Sequence, residues 1–282
     1  MSTIQIIILA AIQGLAELLP VSSSAHVILA QKTMGIDPSS PEMTFFLVML
    51  HTGTMFAVLL FFWSRWKKLL QDIKVSRQFV RAVLIATAIT GVLGLGLKLV
   101  IEKLILEHML GHAKGEVEDL FKVMPLVSGA LFLVGLYIMY VGMKKKEISN
   151  KQITDRDALL IGLTQGLCLP FRGFSRSGST ISTGLLLGIS RELAEEFSFA
   201  LAVVLTPPII LMELKRLVKA GTTVHLNYLS LFTPGLIGMV FSFLFGLLAL
   251  KWLGNWLENG RWHYFGIYCV ILSVISLVVA VR

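Results

Sequence analysis

Two short polar stretches interrupt an otherwise apolar chain, and the first carries a carboxylate, an amide and several hydroxyl groups. Gln13 and Glu17 lie four residues apart, so on a helix their side chains project from one face. Oxygen atoms placed in this way can bind a divalent cation such as Mg²⁺ or Ca²⁺, or position a water molecule. The polar residues that follow are Ser22, Ser23, Ser24 and His26.

This first stretch could supply a nucleophile and a base. An ionisable Glu17 in an apolar segment costs about 3 kcal/mol on insertion scales, which favours a functional role over packing. Ser23 is a candidate nucleophile, and Glu17 or His26 could accept its proton. His26 could equally hydrogen-bond across helices as part of the scaffold. His51 stands alone in an apolar run and is interpreted as structural.

The second stretch, Leu169 to Thr180, has the chemistry of a phosphate site. Arg176 offers a planar fork of donors to phosphate oxygens, and the neighbouring glycines let backbone N–H groups approach closely. The apolar helical run that follows adds a favourable dipole at its start. Arg172 either binds phosphate as well or anchors the chain to lipid headgroups. The hydroxyl groups predicted to contact the phosphate belong to Ser22, Ser175, Ser177 and Thr180.

Both stretches lie in segments that are apolar yet broken by Gly, Pro, Ser and charge, namely Ile4 to Ala30 and Ala158 to Ile189. Neither is predicted to cross a membrane as one continuous helix. Broken backbone is tolerated at membrane depth only where it is buried in protein or lines a wet cavity. The pattern therefore predicts two re-entrant hairpins whose tips meet, because neither stretch alone completes a phosphoryl-transfer site.

The rest of the chain is predicted to cross a lipid bilayer several times. Of its 282 residues 55% are hydrophobic, and the mean hydropathy is +0.79. The start of the chain, Ile4 to Ile12, lacks the features of a cleaved signal peptide. Runs of roughly 20 apolar residues predict spans at Met43 to Ser64, Val80 to Ile101, Met124 to Met143, Leu229 to Leu250 and Trp262 to Val281, with a marginal sixth at Phe197 to Met212.

The two broken segments resemble each other. Gln13-Gly14-Leu15 is echoed by Gln165-Gly166-Leu167, and Leu-Pro and serine-rich stretches follow in both. Coincidence is one reading, because Gly, Leu and Ser are common in membrane helices; internal duplication is the other. We predict an all-α polytopic membrane protein with two inverted-topology repeats, each a re-entrant helical hairpin plus three transmembrane helices. Repeat one covers about 1–143 and repeat two about 158–282 of a single integral membrane domain, 1–282.

The net charge of +8 is explained by topology rather than by nucleic acid, because Lys and Arg gather between the apolar runs. The basic segments Arg65 to Arg77 and Lys144 to Asp157 are predicted to be cytoplasmic, and the more acidic Glu102 to Val123 to lie outside. Cys168 and Cys269 match no metal or redox spacing and predict no disulfide.

Gln13 to His26 and Gly173 to Thr180 resemble the two signature stretches of the undecaprenyl-pyrophosphate phosphatase family, the bacitracin-resistance type. The first motif of that family is a Glu or Gln, a Glu four residues later, then Pro-Val-Ser-Ser and His. Length and helix pattern also fit throughout the chain.

The resemblance implies hydrolysis of undecaprenyl pyrophosphate to undecaprenyl phosphate and inorganic phosphate, which recycles the carrier lipid for peptidoglycan and other envelope polymers. Glu17, Ser23, His26 and Arg176 would be the catalytic residues, and Gln13 and Glu17 would hold a divalent cation. The expected surroundings are the bacterial inner (plasma) membrane, with the active site opening to the outer face. The expected partners are the lipid substrate and membrane lipids, with no nucleic acid and a possible homo-oligomer.

Two positions depart from the resemblance. The family usually has Pro where this chain has Arg172, and Gln13 removes one negative charge from the expected cation site. A secondary transporter of an anionic substrate or lipid is the alternative function, because inverted repeats and broken helices are shared architecture. A second membrane phosphatase type is excluded, since its Pro-Ser-Gly-His motif is absent from the sequence.

Overall fold

A computed structural model describes residues 1–37, 40–101, 124–144, 152–171, 173–221 and 228–281. Within these ranges the regular structure is helical throughout. The predicted outer loop Glu102 to Val123, the basic residues Lys145 and Lys146, and Arg172 lie outside the described residues. The helices are α1 Thr3–Leu18, α2 Ser23–Thr33, α3 Pro41–Gln71, α4 Ile73–Val100, α5 Met124–Met143, α6 Asp155–Cys168, α7 Arg176–Leu186, α8 Arg191–Gly221, α9 Tyr228–Glu258 and α10 Trp262–Val281.

Six of these helices are long and apolar enough to cross a membrane: α3, α4, α5, α8, α9 and α10. They include all six predicted spans, and the marginal one is the middle of a longer stretch, Arg191–Met212. Large apolar side chains also cover the outside of the bundle, for example Trp63, Val92 and Leu133. Such a surface suits lipid and not water, so the chain is a multi-pass membrane protein.

The first broken segment is a helical hairpin, α1 and α2, as predicted. The helix α1 ends before Pro20, which cannot donate a backbone hydrogen bond, and Leu19 is already extended. Ser22 then starts α2 by accepting a hydrogen bond from the N–H of Ala25 at 3.5 Å. Its φ of 67° is the only positive value at a non-glycine residue among those described, so this turn is locally strained.

The second broken segment is also a hairpin, formed by α6 and α7. The start of α6 is fixed by a capping box in which Thr154 and Asp157 exchange hydrogen bonds. After α6 the chain turns through Gly173, whose φ of +100° only glycine adopts easily. Ser175 then caps α7, accepting from the N–H of Gly178 at 3.1 Å.

Each hairpin is held in the bundle by close helix packing at small residues. The helix α1 lies along α9, and α6 lies along α4. A methyl group placed on Gly14 would come within 2.7 Å of the carbonyl oxygen of Ser242, and one on Gly162 within 2.6 Å of that of Ala86. Small residues that let helix backbones touch are the usual means of packing helices in lipid.

Cys168 and Cys269 are both buried and free, which agrees with the sequence prediction.

The contact at Gly162 can be tested with a single methyl group. We expect Gly162→Ala to destabilise the folded protein by about 1–3 kcal/mol, because the backbone of α4 cannot move aside. The matched control is Gly91→Ala on α4, where an added methyl group meets nothing within 4 Å. Thermal melting in detergent should show a lower Tm for Gly162→Ala alone. Equal melting temperatures for the two variants would contradict the close packing of α4 and α6.

Candidate active site

Glu17 occupies the centre of the candidate site, in the last turn of α1. Its Oε2 accepts the Ser23 hydroxyl at 2.5 Å and the Nε2 of Gln13 at 3.1 Å. About a fifth of its side chain remains exposed. The predicted helical spacing of Gln13 and Glu17 is therefore confirmed, and the break after α1 lets Ser23 fold back onto the carboxylate.

Arg176 reaches the same carboxylate from the second hairpin. Its Nη2 lies 3.5 Å from Oε1 of Glu17, and its Nη1 donates to the carbonyl oxygen of Ser198 at 3.1 Å. Glu17 and Arg176 are 159 residues apart in sequence. The prediction that the two hairpin tips meet is thus confirmed for this pair.

Two further hydrogen bonds join the hairpin tips. The backbone N–H of Gly173 donates to the Ser24 hydroxyl at 3.2 Å. The Ser177 hydroxyl donates to the carbonyl oxygen of Leu19 at 3.3 Å. Both use backbone groups at the breaks in the helices, and they tie the two tips together.

The hydroxyl groups predicted to bind phosphate surround this centre, but most of them are engaged within the protein. Ser22 and Ser175 are helix caps, and Thr180 bonds to the Ser198 hydroxyl at 2.6 Å. Ser22, Ser175, Ser177 and Thr180 are all at most 4% exposed. In this conformation they support the hairpins, while Ser23, Ser24 and Glu17 are the more open members of the site.

The His26 ring is hydrogen-bonded on one side to the backbone of Ser22 and on the other to Tyr268 of α10. Its Nδ1 lies 2.7 Å from the carbonyl oxygen of Ser22, which can only accept, so Nδ1 carries the hydrogen. Its Nε2 therefore accepts the hydroxyl hydrogen of Tyr268 at 2.7 Å, and the two rings stack. Burial lowers the pKa of His26, partly offset by the bond to Ser22, which keeps the ring neutral near pH 7.

His51, which the sequence analysis interpreted as structural, also lies beside the centre of the candidate site. It lies on α3, and its Nε2 is 3.7 Å from Oε2 of Glu17. An ionisable residue inside a predicted span was a usable signal, since such residues usually serve function. Tyr268 and Ser198 were missed as well, and nothing in their sequence surroundings distinguishes them.

The surroundings of Glu17 favour the ionised carboxylate. Burial would raise its pKa, but His51, Arg176 and the hydrogen bonds from Ser23 and Gln13 outweigh that effect and hold it below the usual value. Such a carboxylate is charged at neutral pH. It can accept a proton from a hydroxyl group next to it.

The residues at the centre fit a divalent cation only in part. Glu17, the Gln13 amide and the Ser23 hydroxyl provide the oxygen ligands that Mg²⁺ and Ca²⁺ prefer. The described residues contain no cluster of three His, Cys, Asp or Glu side chains suited to a metal ion. A cation here would need oxygen atoms from phosphate or water to complete its coordination.

Comparisons with known proteins agree over nearly the whole length. A family model for the bacitracin resistance protein BacA matches residues 6–275. The chain is 56% identical to undecaprenyl-diphosphatase 2 of Acinetobacter baylyi, covering 99% of both chains. It is 31% identical to undecaprenyl-diphosphatase of Bacteroides fragilis, again covering 99% of both, and 29% identical to that of Methanosphaera stadtmanae, covering 98% and 97%.

Proposed function

Because the chain belongs to the bacitracin resistance protein BacA family, we propose that it is an undecaprenyl-diphosphatase. It would hydrolyse undecaprenyl pyrophosphate to undecaprenyl phosphate and inorganic phosphate, and so return the carrier lipid to peptidoglycan synthesis. The observation that carries the proposal is the meeting of Glu17, Ser23 and Arg176 at the tips of the two hairpins. These residues are a base, a nucleophile and a phosphate ligand.

We propose that Ser23 is the nucleophile, because its hydroxyl already donates to Glu17 at 2.5 Å. Its oxygen would bond to the terminal phosphorus while the bond to the bridging oxygen breaks, and Glu17 would take the hydroxyl proton. Undecaprenyl phosphate would leave, and water would then release inorganic phosphate from the phosphoserine. Direct attack by water on the lipid, with Glu17 as the base, is the alternative and forms no phosphoserine.

Arg176 would stabilise the negative charge that develops on the transferred phosphoryl group. One side of its guanidinium group is fixed by the carbonyl oxygen of Ser198, so the group is held in place before the substrate arrives. The start of α7 adds a favourable dipole, and Ser22, Ser175, Ser177 and Thr180 would contact the phosphate by exchanging their present bonds. His26 would join the chemistry by releasing Tyr268, or would hold the start of α2.

A divalent cation, Mg²⁺ or Ca²⁺, is also proposed. Gln13 and Glu17 would hold it together with phosphate oxygens of the substrate. Bound there, it would neutralise charge on the pyrophosphate. Because this chain has Gln13 in place of a second carboxylate, the substrate would provide more of the ligands.

We further propose that the bundle, a single domain over 1–282, consists of two inverted repeats. Three features support this: two hairpins of the same build, the pairing of α1 with α9 matched by that of α6 with α4, and buried Gln13 and Gln165 at corresponding positions. The basic ends of α3 and α5 would face the cytoplasm across the inner membrane. The active site would then open to the outer face.

Phosphate release from a purified polyprenyl pyrophosphate tests the function and separates an enzyme from a transporter. We expect Glu17→Ala and Arg176→Ala each to lower turnover by about 100-fold or more, because a base or a charge-stabilising group is lost. Glu196 and Arg65 form a matched control, since they are a second ion pair at 3.5 Å. Glu196→Ala should keep its turnover per folded molecule. Normal turnover in a well-folded Glu17→Ala would disprove the assigned role.

The cation proposal predicts that a chelator suppresses phosphate release and that added Mg²⁺ or Ca²⁺ restores it. The measurement is the initial rate at fixed lipid and detergent, with and without chelator. Binding of the cation to the protein without lipid should be weak, because the protein offers a single carboxylate at the centre. An unchanged rate in chelator would refute the proposal.

Arg172 can be tested through the Michaelis constant, although its side chain lies outside the described residues. We expect it to act as an anchor, so Arg172→Pro should leave KM close to that of the parent at fixed detergent and cation concentrations. A rise of about tenfold corresponds to roughly 1.4 kcal/mol where KM tracks binding. A change of that size would instead make Arg172 a second phosphate ligand.

A further inference from the structure

We propose that His51 is a positioning residue for Glu17 and holds its carboxylate in the orientation that receives the Ser23 hydroxyl. The inference rests on the proposed function, because it assigns a role within the same phosphoryl-transfer site. It starts from the 3.7 Å contact between Nε2 of His51 and Oε2 of Glu17. His51 lies outside both signature stretches.

The orientation of the His51 ring is set by its own helix. Its Nδ1 lies 2.8 Å from the carbonyl oxygen of Leu47, one turn earlier on α3. A carbonyl oxygen and an ionised carboxylate both only accept, so each ring nitrogen faces an acceptor. The ring serves both in its imidazolium form, in which Nδ1 donates to Leu47 and Nε2 points its hydrogen at Glu17. The ring thus has one fixed side and one side available to the site.

The position of α3 is equally fixed, by its contact with α9. The Ser242 hydroxyl donates to the carbonyl oxygen of Leu50 at 2.8 Å. At Gly53 the two backbones come so close that an added methyl group would lie 3.1 Å from the carbonyl carbon of Met239. These contacts flank His51 on both sides, so its distance from Glu17 cannot drift with movements of α3 alone.

The carboxylate needs such a partner because its two oxygens are attracted in different directions. Arg176 attracts Oε1, whereas Ser23 and Gln13 bind Oε2. Ser23 and Gln13 are neutral donors, whereas Arg176 is charged, so without a cationic partner beside Oε2 rotation towards the guanidinium would weaken the contact with Ser23. A nucleophile bonded to a base, with the base oriented by a third group, is the arrangement that activates serine in many enzymes.

The length of the contact suits a role that is completed on substrate binding. At 3.7 Å it is an ion-pair distance but longer than a hydrogen bond. Hydrogen bonds of catalytic groups are often long without substrate and shorten in the complex. The His51 side chain is 43% exposed, so room for this adjustment is present.

The test compares His51→Leu, which removes the donor, with His51→Gln, whose amide N–H can replace it. We expect His51→Leu to lower kcat by about tenfold to 100-fold, since misplacement of a catalytic group by 1 Å can cost about 100-fold. The Michaelis constant should change less than about threefold. The His51→Gln variant should have a kcat within about threefold of that of the parent.

The matched control is Thr52→Val, the next residue on α3. Its hydroxyl makes a bond of the same kind, to the carbonyl oxygen of Val48 at 2.8 Å, and should be dispensable for turnover. Melting temperatures measured alongside separate a loss of folding from a loss of positioning. Unchanged kcat in His51→Leu, or an equal loss in folded His51→Gln, would overturn the inference. Absence of phosphate release by the parent protein would instead overturn the proposed function.

Discussion

The contact between Glu17 and Arg176 is the interaction on which the site and the fold around it depend. A carboxylate or a guanidinium group alone among apolar helices is strongly destabilising, whereas the two together neutralise each other. The pair can form only if two distant segments both turn back inside the bundle. Three features allow the two side chains to meet. The helices break after α1 and α6, serine caps start α2 and α7, and hydrogen bonds at Ser24 and Ser177 join the two tips.

The hydroxyl and glycine residues make such a meeting possible in lipid. Breaking a helix leaves backbone groups without partners, and no water is available in the membrane core to bind them. Ser22 and Ser175 satisfy the first N–H groups of the new helices, and Thr180 ties α7 to α8. Glycine at positions 14 and 162 then lets the hairpins sit against neighbouring backbones. The serine-rich composition of the two stretches therefore has a structural role, whichever of these hydroxyl groups take part in the proposed chemistry.

The sequence predicted the six spans and both hairpins, because apolar length and the positions of Pro and Gly are local properties. It also predicted that Glu17 and Arg176 meet, since each stretch carried only half of the groups that phosphoryl transfer requires. It missed Tyr268 and Ser198, and it assigned His51 to structure. Their roles depend on which helix faces are turned inward, and that is decided by packing between segments far apart in the chain. For the same reason it could not show that Ser175, Ser177 and Thr180 are largely occupied by internal bonds.

The ion pair at the centre also places the Glu17 carboxylate where a phosphate ligand of Arg176 would bind, so the two would compete for the guanidinium group. If Arg176 binds phosphate as proposed, the phosphate would have to displace or share the guanidinium group held by Glu17, and its apparent affinity would be reduced by the free energy of opening that contact. A pyrophosphate, with more charge and more oxygen atoms, compensates for this better than a monophosphate does. Once the monophosphate product remains, closing of the ion pair would favour its departure. In the proposed site, a single salt bridge would thus discriminate between substrate and product.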